Sequence, residues 1–241
     1  GPSRSTKKTL EMNTLLIVDF DSTFIRDETL DEIANLLLSS NRISKNTQEK
    51  ITKITNQAMN GELDFKQSFL ERAALLKNVP TSALDEVIAS VELNEGAHRL
   101  IKSLRHFGYK TCLISGGLQE VGDYFANELG IDYVRANRLE IVEGKFTGNV
   151  EGEIIDADKK AELLEDISAS EGISLAQTIA VGDGANDLPM LSKAGLGVAY
   201  RAKTVVKEQA KHAISQFGLD AILYLIGFSD ADIEEALRSA S

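Results

Sequence analysis

The sequence predicts an α/β protein: a parallel sheet with helices on both faces, an inserted helical segment and a small β-hairpin. Three observations carry this. Short apolar runs of strand length alternate with stretches of helical periodicity. Residues 28–90 show helical patterns alone and interrupt that alternation after the first run. Residues 138–155 alternate about Glu143-Gly144, which is a hairpin signal. At 241 residues, 43% hydrophobic and 26% charged, the chain reads as one ordinary globular domain carrying an insertion.

In chain order, Thr14 to Val18 (TLLIV) is an apolar run ending at Asp19 and reads as a buried strand. Three or four helices follow. The third is capped by Asp64, runs through Phe65, Phe69, Arg72 and Leu76, and is closed off by Pro80. A helix beginning near Asn94 carries Leu100 and Leu104 and stops at Gly108. Lys110 to Ile114 is the second strand; Val121, Phe125 and Leu129 mark a helix stopped by Gly130; Tyr133 opens a short extended segment. After the hairpin, a helix from Asp158 leads to a strand over Thr178 to Val181. Another helix starts at Asn186, and Gly197 to Tyr200 reads as the last strand. The sheet core therefore takes residues 14–27 and 91–228, and a helical cap takes 28–90. Residues 229–241 form a tail, read as a short acidic helix or a frayed end. Residues 1–13 are set apart. They have no apolar core for a signal peptide, and Gly1-Pro2-Ser3 reads as the remnant of an expression tag.

Composition removes several function classes. A net charge of −11 gives no basic excess to neutralise a nucleic-acid backbone. The longest apolar stretch, Ala221 to Ile226, falls far short of the roughly 18 residues that span a bilayer, so no membrane partner is expected. Cys112 is the only cysteine, which excludes an intrachain disulfide and a multi-cysteine zinc site. A reducing, cytoplasmic setting is expected, with Cys112 as plain core. His98, His106 and His212 share no motif and read as non-catalytic.

Ligands of such sheets bind at the carboxyl ends of the strands, and that is where the reactive residues fall. The first strand ends in Asp19-Phe20-Asp21-Ser22-Thr23. Alone, this pattern also fits a turn with Asp as a helix cap. A calcium loop fails, because Phe24 and Leu30 stand where glycine and glutamate are required. The second strand ends in Ser115-Gly116-Gly117, a hydroxyl and two glycines read as the approach to a helix N-terminus, which suits a phosphate. No Gly-Lys-Ser/Thr triplet follows, so it is not a nucleotide P-loop. The third of these strand ends is Gly182-Asp183-Gly184-Ala185-Asn186-Asp187. Four aspartates converging on one cleft repel one another, so a divalent cation is expected, and an all-oxygen site with few ligands points to Mg²⁺.

DFDST, SGG and GDGAND, in this order and each after a strand, resemble motifs one, two and four of the haloacid dehalogenase superfamily. Its third motif is a lysine, and Lys159 and Lys160 both stand at the right place. Lys160 shares a helix face with Leu164 and Ile167 and matches the pattern DADKKAELL, so it is the inward one. From about 14 to 220 the chain is similar to the phosphoserine phosphatases of that superfamily, including AMNGELDFKQSFLERAALLK in the cap and VEGEII before the lysine. Phe24 and Phe69 depart from the more usual leucine. Bacterial relatives often carry a further N-terminal regulatory region, which is not expected here.

The resemblance implies a Rossmann-like core and Mg²⁺-dependent hydrolysis of O-phosphoserine, the last step of serine biosynthesis, through an aspartyl-phosphate. It casts Asp19 as nucleophile and Asp21 as acid–base group. Mg²⁺ would be held by Asp19, the carbonyl of Asp21 and Asp183. Ser115, Gly116, Gly117 and Lys160 would hold phosphoryl oxygens, Asn186 would position the phosphate or Ser115, and Asp187 would hold a metal-bound water. In the cap, Arg72 lies in register with two phenylalanines and a leucine, and a buried cation needs a partner or a ligand. Arg72 is expected to grip the substrate carboxylate and Glu28 its ammonium, with Met59 and Phe65 lining the pocket. The alternative is a phosphotransferase acting on homoserine, or a phosphatase for another small phosphorylated amino alcohol. A receiver-type signalling module is excluded, being about half this length and needing no cap.

Overall fold

The computed structural model describes residues 14–239, so the expected tag remnant and leader lie outside the described residues. β1 (Leu15–Asp19) is entirely buried at the centre of a seven-stranded sheet. Four helices follow it: α1 (Thr29–Ser39), α2 (Lys45–Met59), α3 (Phe65–Leu75) and α4 (Ser82–Ser90). Then come α5 (Ala97–His106), β2 (Lys110–Leu118), α6 (Gln119–Leu129), β3 (Tyr133–Val142) and β4 (Lys145–Glu151). The chain continues with α7 (Ala157–Ser170), β5 (Thr178–Gly182), α8 (Leu188–Lys193), β6 (Leu196–Tyr200), α9 (Thr204–Gln209) and β7 (His212–Ile214). α10 (Ala221–Leu225) and α11 (Asp230–Arg238) close it.

The sheet order is β4-β3-β2-β1-β5-β6-β7, parallel except where β4 pairs antiparallel with β3. Alternate residues of β1 serve two cores. Leu16 and Val18 pack with α5 and α6 through Leu100, Leu104 and Val121, while Leu15 and Ile17 pack with α7 and α8 through Leu164, Ile167 and Met190. Helices therefore cover both faces. From β1 the chain winds outward to β2 and β3 on one side, and later to β5, β6 and β7 on the other. The switch point falls beside the carboxyl end of β1, the place where open α/β sheets bind their ligands.

Four local readings differ from the sequence expectation. β2 continues through Ser115-Gly116-Gly117 to Leu118, so these residues lie in extended chain rather than at the first turn of α6. β3 runs unbroken from Tyr133, pairing with β2 in its first half and with β4 in its second, so the hairpin extends the main sheet. A short turn over Ala185–Asp187 precedes α8, which starts at Leu188, with Pro189 in its opening turn where a missing N–H costs nothing. β6 is not the last strand, because the short, half-exposed β7 pairs beyond it.

The four-helix insertion is stitched down at two places. Its two connections pair with each other, with Arg26 N–H donating to the Glu92 carbonyl at 2.9 Å. Its far end meets the β3–β4 hairpin: Asn78 N–H donates to Phe146 O at 2.8 Å and Phe146 N–H to Val79 O at 3.0 Å. Among the described residues no helix is long and apolar enough to cross a membrane.

Candidate active site

Asp19 ends β1 level with Ile114 of β2, and the next residue along β2 is Ser115. On the other flank Val18 is level with Val181, which brings Gly182-Asp183 to the same edge. After Asp19 the chain makes one tight turn, with Ile25 N–H donating to Phe20 O at 3.0 Å and Ser22 at φ 58°, an unusual value for a residue with a side chain. Asn94 clamps this turn from 69 residues away or more, its Nδ2 donating to the carbonyls of Thr23 at 2.9 Å and Ile25 at 3.3 Å. The turn separates the two aspartates. Asp19 joins Asp183 and Asp187, each offering an oxygen within 4.8 Å of the others. Asp21 turns its carboxylate to Thr29, accepting from the backbone N–H at 2.9 Å and the hydroxyl at 2.7 Å. Three of the four aspartate carboxylates therefore form the cluster.

Lys160 is fully buried, its Nζ 2.7 Å from Asp187 Oδ1 and 3.3 Å from Asp19 Oδ1. Burial alone would lower its pKa, but Asp187 and Asp19 hold it above the ordinary lysine range. Lys159 instead points outward to Glu153 and Glu162. Asp187 Oδ2 accepts from the N–H groups of Asp183 and Gly184 at 3.0 and 3.1 Å, which orients the GDGAND loop. Thr23 donates its hydroxyl to Asp183 Oδ1 at 3.0 Å.

The donor set fits a divalent cation. One ammonium offsets one of three buried carboxylates, leaving two negative charges uncompensated. Among the described residues Asn186 Oδ1 is buried without a hydrogen-bond partner, and Asp19 Oδ1 is met by the Lys160 ammonium at 3.3 Å. Burial, with the charges of Asp187 and Asp183, pushes the Asp19 carboxyl well up, against the pull of Lys160. Burial, Glu28 and Asp187 do the same to Asp183. A cleft of about 480 Å³ reaches Ser22 and Asp183, with Arg201 and Lys203 on its walls.

Asp21 is pushed up to about 7, first by burial and then by the charge of Glu28, against the two bonds from Thr29. Folded chains thus hold protons that unfolded chains release between pH 3.8 and about 7, so stability falls as pH rises through that window. Chelator-treated protein is expected to show a Tm that declines from about pH 5 to pH 7.5, with divalent cation raising it most at the upper end. A Tm that climbs over that range in the chelated protein would show that these carboxyls are not held protonated.

Glycines make room for these contacts. A Cβ on Gly117 would stand 2.6 Å from both Asp21 carboxylate oxygens, and one on Gly116 would stand 2.2 Å from Phe65 Cζ. Phe65 of α3 therefore presses on the β2 strand end. Gly117 N–H donates to Ser115 Oγ at 2.8 Å. Asn137, buried on β3, donates to Gly116 O at 3.0 Å and accepts from Ile155 N–H at 2.7 Å, tying the SGG strand end to the segment that leads to Lys160. Met59 Sδ lies against Gly184, 2.8 Å from where its Cβ would stand.

Arg72 is 2% exposed, on the α3 face with Phe65, Phe69 and Leu76. Its guanidinium carbon lies 5.8 Å from the Phe65 ring centre and 5.9 Å from that of Phe69. Among the described residues it has no ion-pair partner. Burial lowers its pKa, while Glu28, Asp31 and Asp21 raise it. Glu28, at the start of α1, is half-buried and accepts from Ser22 Oγ at 2.7 Å. Away from the site, Cys112 is buried and its thiol pushed up to about 12, and His106 faces Glu235 near the surface. The sequence reading missed Thr23, Thr29, Asn94 and Asn137. Thr23 stands inside the DFDST motif; Asn94 and Asn137 carry no periodic signal.

A carboxylate cluster, a buried lysine and a hydroxyl at the carboxyl edge of a parallel sheet define a phosphoryl-transfer site. A family model described as haloacid dehalogenase-like hydrolase matches residues 16–192, and the chain belongs to that family. Within it the chain falls among the phosphoserine phosphatases. It is 42% identical to the phosphoserine phosphatase of Streptococcus thermophilus, over 90% of this chain and 97% of that one. It is 44% identical to that of Streptomyces coelicolor over 92% of its length, but spans only 52% of that longer protein. A solved structure described as a phospho-aspartyl intermediate analogue of phosphoserine phosphatase superposes with a TM-score of 0.82 at 42% identity, covering 88% of this chain and 98% of that one.

Proposed function

We propose that the chain hydrolyses O-phosphoserine to serine and phosphate in two steps, with Mg²⁺ as cofactor, in a reducing cytoplasmic setting. Asp19 attacks phosphorus, forming an acyl phosphate and releasing the serine alkoxide. Asp21, titrating at about 7, is poised to give that oxygen a proton and then to take one from the attacking water. Lys160, beside Asp19, and Ser115 with the N–H of Gly116 hold the phosphoryl oxygens. Asn186 orients them through the N–H groups of its side-chain amide, and Asp187 fixes both Lys160 and the loop of Asp183. Asp19, Asp183 and the Asp21 carbonyl would hold Mg²⁺, which supplies charge neutralisation and a clamp on the transferring group.

Residues 28–90 act as the specificity cap. The observation that carries the substrate assignment is Arg72, a guanidinium buried, among the described residues, without an ion-paired carboxylate, on the same helix as the Phe65 that presses on Gly116. Glu28 complements it as the group for an ammonium. Together with Met59 and Phe65 they describe a phosphorylated α-amino acid. Phosphate release from phosphoserine, phosphothreonine, phosphoethanolamine and p-nitrophenyl phosphate, with and without Mg²⁺, tests this. Phosphoserine is expected to be preferred by at least about tenfold in kcat/KM, with activity lost on chelation. Equal rates on phosphoserine and phosphoethanolamine would remove the amino-acid assignment.

A further inference from the structure

Arg72 is held by Ser68, within the cap segment that carries the resemblance, and by Thr55, which no motif marks. Its Nε donates to the Ser68 carbonyl at 3.2 Å and its Nη2 to Ser68 Oγ at 3.0 Å, so two adjacent N–H groups are spent on its own helix. Its Nη1 donates to Thr55 Oγ1 at 3.0 Å. A guanidinium has five N–H donors, so two remain, one on each terminal nitrogen. Those two donors are left for a carboxylate, which can accept from a guanidinium with both oxygens.

Thr55 is 1% exposed, and having accepted from Arg72 it has one proton to place. Asp31 Oδ1 lies 2.6 Å away, nearer than the Ile51 carbonyl at 3.1 Å. The chain Arg72–Thr55–Asp31 joins α3, α2 and α1. A carboxylate bonded directly to Arg72 would occupy the free pair and compete with substrate. One hydroxyl interposed leaves that pair open while keeping a negative charge close to the buried cation.

We propose that Thr55 and Asp31 are positioning residues for Arg72, fixing its guanidinium so that the two free N–H groups receive a substrate carboxylate. This rests on the amino-acid phosphate reading above. The test compares kcat/KM for phosphoserine with that for phosphoethanolamine, which keeps the ammonium and lacks the carboxylate. Thr55→Val keeps the side-chain shape and removes the hydroxyl. It is expected to lower the phosphoserine-to-phosphoethanolamine ratio about tenfold, mainly through KM, the scale of one hydrogen bond to a charged group. Thr55→Ser should restore the ratio, and Asp31→Asn should shift it in the same direction as Thr55→Val. A parallel fall on both substrates, or no recovery in Thr55→Ser, makes the role structural and overturns the proposal. A wild type that prefers phosphoserine, with Thr55→Val unchanged, overturns the proposal alone. A wild type with no preference overturns the functional reading and the proposal with it.

Discussion

Asp19→Asn is expected to abolish Mg²⁺-dependent phosphate release, by about 10⁴-fold or more, while leaving the fold intact. An amide cannot form the acyl phosphate, and removal of an essential nucleophile leaves only binding and electrostatics to act. The structure explains why the fold should survive. Asp19 is a crowded carboxylate, pushed toward its neutral form by burial and by Asp187 and Asp183. Replacing it with a neutral isostere relieves that repulsion, and Lys160 keeps Asp187 at 2.7 Å as its partner. The chelated variant should therefore unfold at a Tm no lower than the chelated wild type. Phosphate release and thermal unfolding, measured on the same preparation, separate the two effects. Substantial remaining turnover would remove Asp19 as nucleophile. Lost turnover with a collapsed Tm would show instead that the Asp19–Lys160 contact is mainly structural.

Much of this site was legible because Asp19, Ser115 and Asp183 follow apolar runs of strand length. Apolar runs of strand length place Asp19, Ser115 and Asp183 along one edge whatever the details of the loops, and the register does put them there. Arg72 was legible from helical spacing, since a cation among Phe65, Phe69 and Leu76 has nowhere to go but inward. What stayed hidden depends on partners distant in sequence. Asn94 holds a turn 69 or more residues away, and Asn137 links Gly116 to Ile155; neither sits in a pattern. β7 has three residues, none of them fully buried, so no apolar run announces it. The extension of β2 through two glycines defeats propensity, because glycine disfavours strands and is tolerated here where Phe65 and Asp21 come close. Thr55 was within reach. Ile51, Thr55, Ala58 and Met59 recur at i, i+4, i+7 and i+8 on the buried face of α2, and a hydroxyl on that face needs a partner.

The four-helix insertion is where substrate choice and catalysis can be pulled apart, and Arg72→Ala is the substitution that does it. The free N–H pair of Arg72 has a use only with a substrate that carries a carboxylate. The loss should therefore be selective: phosphoserine falls, and p-nitrophenyl phosphate, which has no carboxylate, falls much less. A charge-assisted hydrogen bond is worth about 1.5–3 kcal/mol, and about 1.4 kcal/mol is tenfold in rate. The selective loss in kcat/KM is thus roughly ten- to a hundredfold, and larger where both bonds form. Removing the side chain also strips Thr55 and Ser68 of a donor and opens space beside Phe65 and Phe69, so some loss common to both substrates is expected. The rate on p-nitrophenyl phosphate measures that common part directly. Arg72→Lys should fall between the two, since an ammonium keeps the charge but not the planar fork. Glu28→Gln should act in the same selective sense through the ammonium, more weakly, because the amide oxygen still accepts a hydrogen bond. If Arg72→Ala costs both substrates equally, the guanidinium serves to seat Phe65 on Gly116 and shape the phosphate site. The chain then remains a haloacid dehalogenase-like phosphatase whose cap no longer argues for an amino acid.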